Sequence, residues 1–144
     1  MAALNPYLNF NGNAEEAFNF YKSVFGGEFP MVMRFKDVPS EYKMGESDGE
    51  KIMHIALPIG QGTMLMGSDV PEAMGKATTG TNFYISVFTA SEEEADKLFN
   101  GLSAGGQVIM ALEKTFWGDY FGMLKDKFDI QWMVNYSYNN QQQA

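Results

Sequence analysis

Hydrophobic and polar positions along the chain follow one design twice. Between Tyr7 and Gly27 an extended apolar stretch gives way to a small polar residue and then to apolar positions at helical spacing. Ile85 to Gly105 repeats the design, matching Phe10 with Phe88, Asn13 with Ser91, Glu16 with Glu94, Ala17 with Ala95, Tyr21 with Phe99, Val24 with Leu102 and Gly27 with Gly105. In each copy Asn13 or Ser91 can accept from free helix N–H groups, and Glu16 or Glu94 three places on can reach back as a capping box. Gly26-Gly27 and Gly105-Gly106 stand where a helix end needs a left-handed residue. Repetition of this length predicts two duplicated modules rather than a short-period solenoid.

The pattern predicts a strand at Pro6–Phe10, a helix at Asn13–Phe25 and a strand at Glu28–Phe35 whose start is confined to an edge by Pro30. Lys36–Glu50 is polar and reads as a long, functional or mobile loop. Lys51–Ile59 and Thr63–Ser68 form a hairpin around Gly60-Gln61-Gly62. Asp69–Gly80 is the predicted linker, with Pro71 near its start. The second module follows as a strand at Thr81–Phe88, a helix at Ser91–Ser103 and a strand at Gln107–Leu112. An aromatic segment, Glu113–Lys125, then leads through an Asp126–Asp129 turn to a last strand at Ile130–Tyr136. The Asn- and Gln-rich tail, Ser137–Ala144, is expected to fray.

Composition narrows the partners. The chain has 144 residues, 45% of them hydrophobic, which fits one soluble domain with a packed core. A net charge of −8 and no basic stripe predict neither a nucleic-acid nor an anionic-membrane partner. No signal-like leader or membrane-length apolar run is evident, so a cytoplasmic location is expected. With no Cys, thiol nucleophiles and thiolate metal sites are excluded. The surplus of aromatics (15%) and the 11 Met residues fit either a core or the lining of a pocket for an irregular organic ligand. Glu92-Glu93-Glu94 suits a helix N-terminus, and Ser47-Asp48-Gly49-Glu50 lacks the acidic spacing of an EF-hand and reads as a turn.

The stretches GNAEEAFNFYKSVFGG, MHIAL and EKTFWGDYFGMLKDKFDIQW, set in paired βαβββ modules, resemble the vicinal oxygen chelate superfamily and, within it, the PhnB-like branch related to glyoxalase and bleomycin-resistance proteins. The resemblance covers Pro6 to Tyr136. It implies an α+β fold of two βαβββ modules with a curled mixed sheet, module one at about 5–70, a linker at about 71–80 and module two at about 81–137, all in a single domain, commonly as a homodimer. It also implies a divalent ion held by His, Gln or Glu on the first and last strands of the modules. That usual ligand set is missing. Pro6, Leu8, Asn9, Asn82, Tyr84 and Ser86 occupy the first strands, Met64 to Gly67 stand where a glutamate is expected, and Met133 takes the last acidic position. A methyltransferase label is common in this branch, yet no glycine-rich strand-to-helix turn suits an adenosyl cofactor.

Two residues keep the chemistry of a site. His54, the sole histidine, lies on a strand and reads as a pocket donor or general base, with metal ligation and a hydrogen-bonded core role as alternatives. Glu113 reads as a carboxylate base, alone or paired with His54, or as a surface acid. Trp117, in a Gly-bounded segment, is expected to cover the cup or pack on a partner protomer, Asp119 to anchor that segment through nearby backbone, and Tyr120 and Phe121 to form walls. Tyr84 and Asn9 complete the expected ligand-binding set. The function expected is binding of a small organic molecule, with lyase, isomerase or dioxygenase-like chemistry. Non-catalytic sequestration of the bleomycin-resistance type is the alternative, and a structural interaction module with a vestigial site the third reading.

Overall fold

The computed structural model describes residues 2–38 and 48–138. Part of the predicted Lys36–Glu50 loop (39–47) and most of the predicted tail (139–144) lie outside the described residues. The chain divides into two compact units, 1–78 and 79–144.

In the first unit the order is β1 (Tyr7–Phe10), α1 (Ala14–Phe25), β2 (Met31–Arg34), β3 (Ile52–Ile59) and β4 (Thr63–Asp69). The sheet runs β1-β4-β3-β2, with β1 parallel to β4 and the other pairs antiparallel. Leu8 and Phe10 of β1, Ile55 and Leu57 of β3 and Leu65 of β4 are buried together with Ala14, Ala17, Phe18 and Tyr21, the apolar stripe of α1. Gly67 sets how closely that helix packs, because a Cβ there would lie 2.8 Å from both the Leu8 carbonyl and the Phe18 ring. The second strand is shorter than its apolar pattern, since the chain turns into a single 3-10 turn at Phe35–Asp37. Another such turn, Glu72–Met74, interrupts the predicted linker.

The expected N-cap of α1 is replaced. Asn13 makes no side-chain cap; the buried Asp69 carboxylate, at the end of β4, accepts from Gly12 N (3.0 Å) and Ala14 N (2.9 Å) through Oδ1 and from Ile52 N (2.8 Å) through Oδ2. A charged acceptor delivered by tertiary structure outcompetes the local amide. One side chain thus ties together α1, β3 and β4.

The second unit repeats the order with β5 (Ile85–Phe88), α2 (Glu92–Ser103), β6 (Gln107–Lys114), β7 (Asp119–Lys125) and β8 (Gln131–Ser137), in a sheet running β5-β8-β7-β6. Again the first and last strands are parallel. Here the cap is local: Ser91 Oγ accepts from Glu94 N (3.0 Å), and Glu94 Oε1 accepts from Ala90 N (2.7 Å), one residue earlier than the usual box. Asp126 closes the turn before β8 by accepting from Phe128 N and Ile130 N, and its other oxygen accepts from the buried Trp132 indole (2.8 Å). Compared with the sequence expectation, the first strand begins later, at Ile85, and β6 runs on to Lys114, which places Glu113 inside a strand. Among the described residues no helix is long and apolar enough to cross a membrane.

Candidate functional site

Each sheet covers its helix with one face and leaves the other face half-exposed, and strand register decides which side chains share that second face. In the first sheet one rung reads Tyr7, Met66, Ala56, Met31. Asn9 beside Ser68 and His54 beside Met33 stand one step along the strands. The Tyr7 hydroxyl lies 3.4 Å from His54 Nδ1, and the two rings are 5.8 Å apart. His54 is therefore half-buried on an open face, a phenol at one ring nitrogen and a thioether at its side. The phenol donates a hydrogen bond to that nitrogen or accepts one from it, according to the tautomer.

In the second sheet one rung reads Phe88, Asn135, Phe121, Glu113, and the adjacent rung Ser86, Met133, Met123, Met110. Asn135 is only 5% exposed, and among the described residues its side-chain amide has no hydrogen-bond partner. Leaving such an amide unpaired in a buried position costs about 1–3 kcal/mol. Phe88 beside it is 61% exposed. Trp117 extends this wall, its ring 6.3 Å from that of Phe121.

The turn carrying Trp117 is rigid. Thr115 N donates to Asp119 O (2.7 Å), the Thr115 hydroxyl bonds the same carbonyl, and Gly118, at φ 95°, allows the reversal. Asp119 anchors the segment, but its carboxylate accepts from the Trp117 indole (3.0 Å) rather than from backbone. Phe116, at the tip, is almost fully exposed.

Not every expected site residue joins these faces. Tyr120 shares its rung with Lys114 and Tyr136, on the α2 side of the sheet, where its hydroxyl donates to Asp96 Oδ1 (2.6 Å). That bond, with burial and the surrounding carboxylates, pushes the Tyr120 pKa up to about 12. Tyr84 is half-buried just ahead of β5. His54 and Asn9 belong to the first unit, Glu113, Trp117, Tyr120 and Tyr84 to the second. Sequence reasoning missed Tyr7 as the His54 neighbour and missed Asn135 and Phe88. A polar residue at an alternate position of the apolar run Trp132–Tyr136 was the available signal for Asn135.

A cavity of about 390 Å³ lies elsewhere in the first unit, lined by Gly12, Glu15, Arg34, Glu50, Lys51, Ile52 and Asp69. Its charges are already matched. Arg34 pairs with Glu15 (2.7 Å) and Lys51 with the buried Asp48 (2.8 Å), and each cation holds its carboxylate below the usual range. None of the expected site residues lines it.

The donors on the open faces do not fit the divalent ion that the resemblance implies. They are a phenol, amides, hydroxyls and thioethers with one imidazole in the first unit and one carboxylate in the second, whereas a stable hard-ion site needs three or four imidazole or carboxylate groups together. Among the described residues no group of three His, Cys, Asp or Glu side chains could hold a metal.

Comparison with known proteins agrees with this architecture. A family model described as 3-demethylubiquinone-9 3-methyltransferase matches residues 2–135. The crystal structure of PA1353 from Pseudomonas aeruginosa is 39% identical, with 95% of this chain and 98% of that one covered at a TM-score of 0.84. A PhnB protein of Bacillus cereus is 27% identical, with 94% and 100% covered at 0.74. A glyoxalase/bleomycin resistance protein/dioxygenase family enzyme from Burkholderia phytofirmans, 20% identical over 91% and 96% at 0.60, shares the fold. With its mixed four-stranded sheets and the match along nearly its whole length, the chain belongs to the 3-demethylubiquinone-9 3-methyltransferase family of PhnB-like proteins, and it shares its fold with glyoxalase/bleomycin-resistance proteins.

Proposed function

We propose that this protein binds a small organic molecule with a flat apolar part and a hydrogen-bonding group, on the face of the second sheet turned away from α2. The observation that carries this is Asn135, a buried amide without a partner among the described residues, set between Phe88 and Phe121. A ligand that bonds this amide recovers the desolvation already spent in folding, while the rings and the Trp117 indole take its apolar part. Glu113, exposed at the end of the same rung, is the carboxylate placed to accept a proton from such a ligand.

Methyl transfer, which the family description names, would need a cradle for a methyl donor. The strand-to-helix turns do not fit that role: Gly12 N and Ala14 N are held by Asp69, and the α2 turn by Ser91 and Glu94. Binding, with sequestration as its simplest use, is the reading the donors support. A homodimer is part of the proposal. Its support is the edge strand β6, where Val108 and Ile109 are each more than 40% exposed. Sedimentation showing a monomer at micromolar concentration would remove that part.

The test of binding is a ligand-observed NMR screen of small aromatic amides, phenols and carboxylates against wild type and Asn135→Leu. The variant should be as stable as wild type or more so, and should bind the hits at least tenfold more weakly. A destabilised variant, or one with unchanged affinity, would mean that the amide serves the fold and not a ligand.

A further inference from the structure

The rung next to Asn135 places three methionines on three consecutive strands. Met110 on β6 is the register partner of Met123 on β7, which is the partner of Met133 on β8. Facing neighbours in a sheet have Cβ atoms about 4.5–5.5 Å apart, so three flexible thioethers rise side by side from one line.

The register is made, not inherited. β6 breaks step with β7 on both sides of Met110, once between Val108 and Met110 and again between Met110 and Glu113. Irregularities of this kind re-aim side chains, and here they bring Met110 opposite Met123. The three side chains are also reachable: Met110 is 51% exposed, and Met123 and Met133 are half-buried. No carboxylate or imidazole shares the rung, which ends at Ser86.

We propose that Met110, Met123 and Met133 form a binding site for a soft monovalent cation, Cu(I) or its redox-inert counterpart Ag(I). Thioethers are soft, uncharged donors, and they select Cu(I) over the hard and borderline divalent ions for which this face lacks ligands. Phe121 stands two residues from Met123 on the same face with Trp117 against it, so aromatic rings border the site, a further attraction for a weakly hydrated ion. The first sheet supplies an internal control. Met31, Met33 and Met66 are there as well, but Ala56 separates Met66 from Met31 and Met33 lies beside His54 on another rung, so no three of them are consecutive partners. This site borders the organic-ligand face and shares Phe121 and Trp117 with it, but its donors are the thioethers and not the Asn135 amide, so either reading can fail alone.

The test is an Ag(I) nitrate titration, free of chloride, of protein labelled with ¹³C at the methionine methyls. The absence of Cys removes any thiol background. The Met110, Met123 and Met133 signals should move together and saturate at one equivalent. Met123→Leu should weaken binding at least tenfold, and the triple Leu variant should abolish the saturable phase with its other methyl signals unmoved. Met31→Leu/Met33→Leu/Met66→Leu should bind like wild type. Binding should be flat between pH 5.5 and 8, because neutral thioethers do not titrate; Cu(I) under anaerobic conditions should compete for the same signals. Shifts centred on the first-sheet methionines, a loss of affinity in acid that follows His54, or shifts that never saturate would overturn the proposal. Met123→Leu is nearly isosteric, so the test survives a triple variant that folds poorly.

Discussion

The two units share a topology and differ in what holds it. In the first, the end of the last strand reaches across to the helix: Asp69 takes three backbone N–H groups from the α1 turn and β3. In the second, Ser91 and Glu94 cap α2 from within its own first turn, and Asn135 of β8, on the face turned away from α2, is left with its amide unbonded among the described residues. The last strand therefore staples the first module to its helix, whereas the second module caps its helix locally, without a carboxylate from β8.

The sharpest way to break this comparison is Asp69→Ala. Three buried donors lose a charged acceptor together, and hydrogen bonds to charged groups are worth about 1.5–3 kcal/mol each, with losses in one network not additive. We expect a destabilisation of about 3–5 kcal/mol in urea unfolding. A loss below 1 kcal/mol would show that α1 is held by packing and that the contrast between the units is superficial.

Next in size are the sheet glycines under the helices. A Cβ on Gly122 would lie 2.8 Å from the Phe99 ring and 3.0 Å from the backbone at Leu112 N and Met110 O; one on Gly67 would meet Leu8 O and the Phe18 ring. Backbone atoms cannot step aside, so both alanine variants should lose about 1–3 kcal/mol. They should then diverge. Gly122→Ala pushes on β6 at Met110 and should weaken Ag(I) and organic-ligand binding, whereas Gly67→Ala should leave both unchanged once the protein is folded.

Why the sequence disclosed some of this and hid the rest follows from the range of the forces involved. The repeat, both helices and seven of the eight strands were legible because apolar periodicity is written locally in residues such as Ala14, Ala17, Phe18 and Tyr21, whereas β7 lay unmarked inside the aromatic segment Glu113–Lys125. The local cap at Ser91 was legible for the same reason. Its counterpart at Asn13 was not, because Asp69 comes from more than fifty residues away and a carboxylate is the better acceptor. Tyr120 looked like a wall residue beside Phe121, but in a strand adjacent residues take opposite faces, and its hydroxyl found Asp96 on α2. The methionine rung was invisible because it depends on two irregularities in β6 that no composition signals.

Ser91→Ala is the milder counterpart of Asp69→Ala. Removing a single local cap should cost about 1 kcal/mol in urea unfolding, mostly through the first turn of α2. Parity with the Asp69 variant would mean that the two caps carry equal weight and that a local cap holds its helix as firmly as a tertiary one.

The smallest effect should come from Tyr120→Phe, and it separates the units by pH. Tyr120 ionises near pH 10.0 when free and at about 12 when bonded to Asp96, and Tyr138 is raised to about 12 as well, by desolvation first and then by its bond to Glu92. A tyrosine with a raised folded pKa favours the fold while it is protonated, so its contribution is complete below pH 10 and fades as the pH rises toward 12. At pH 7 the variant should lose about 0.5–1 kcal/mol, the worth of one largely exposed hydrogen bond. The gap between wild type and variant should close between pH 10 and 12, and amide exchange should show the difference in α2 while α1 exchanges alike in both proteins. A gap that persists at pH 12 would mean that the ring, through packing, and not the hydroxyl supports the helix, and would leave the second unit held by contacts of the same kind as the first.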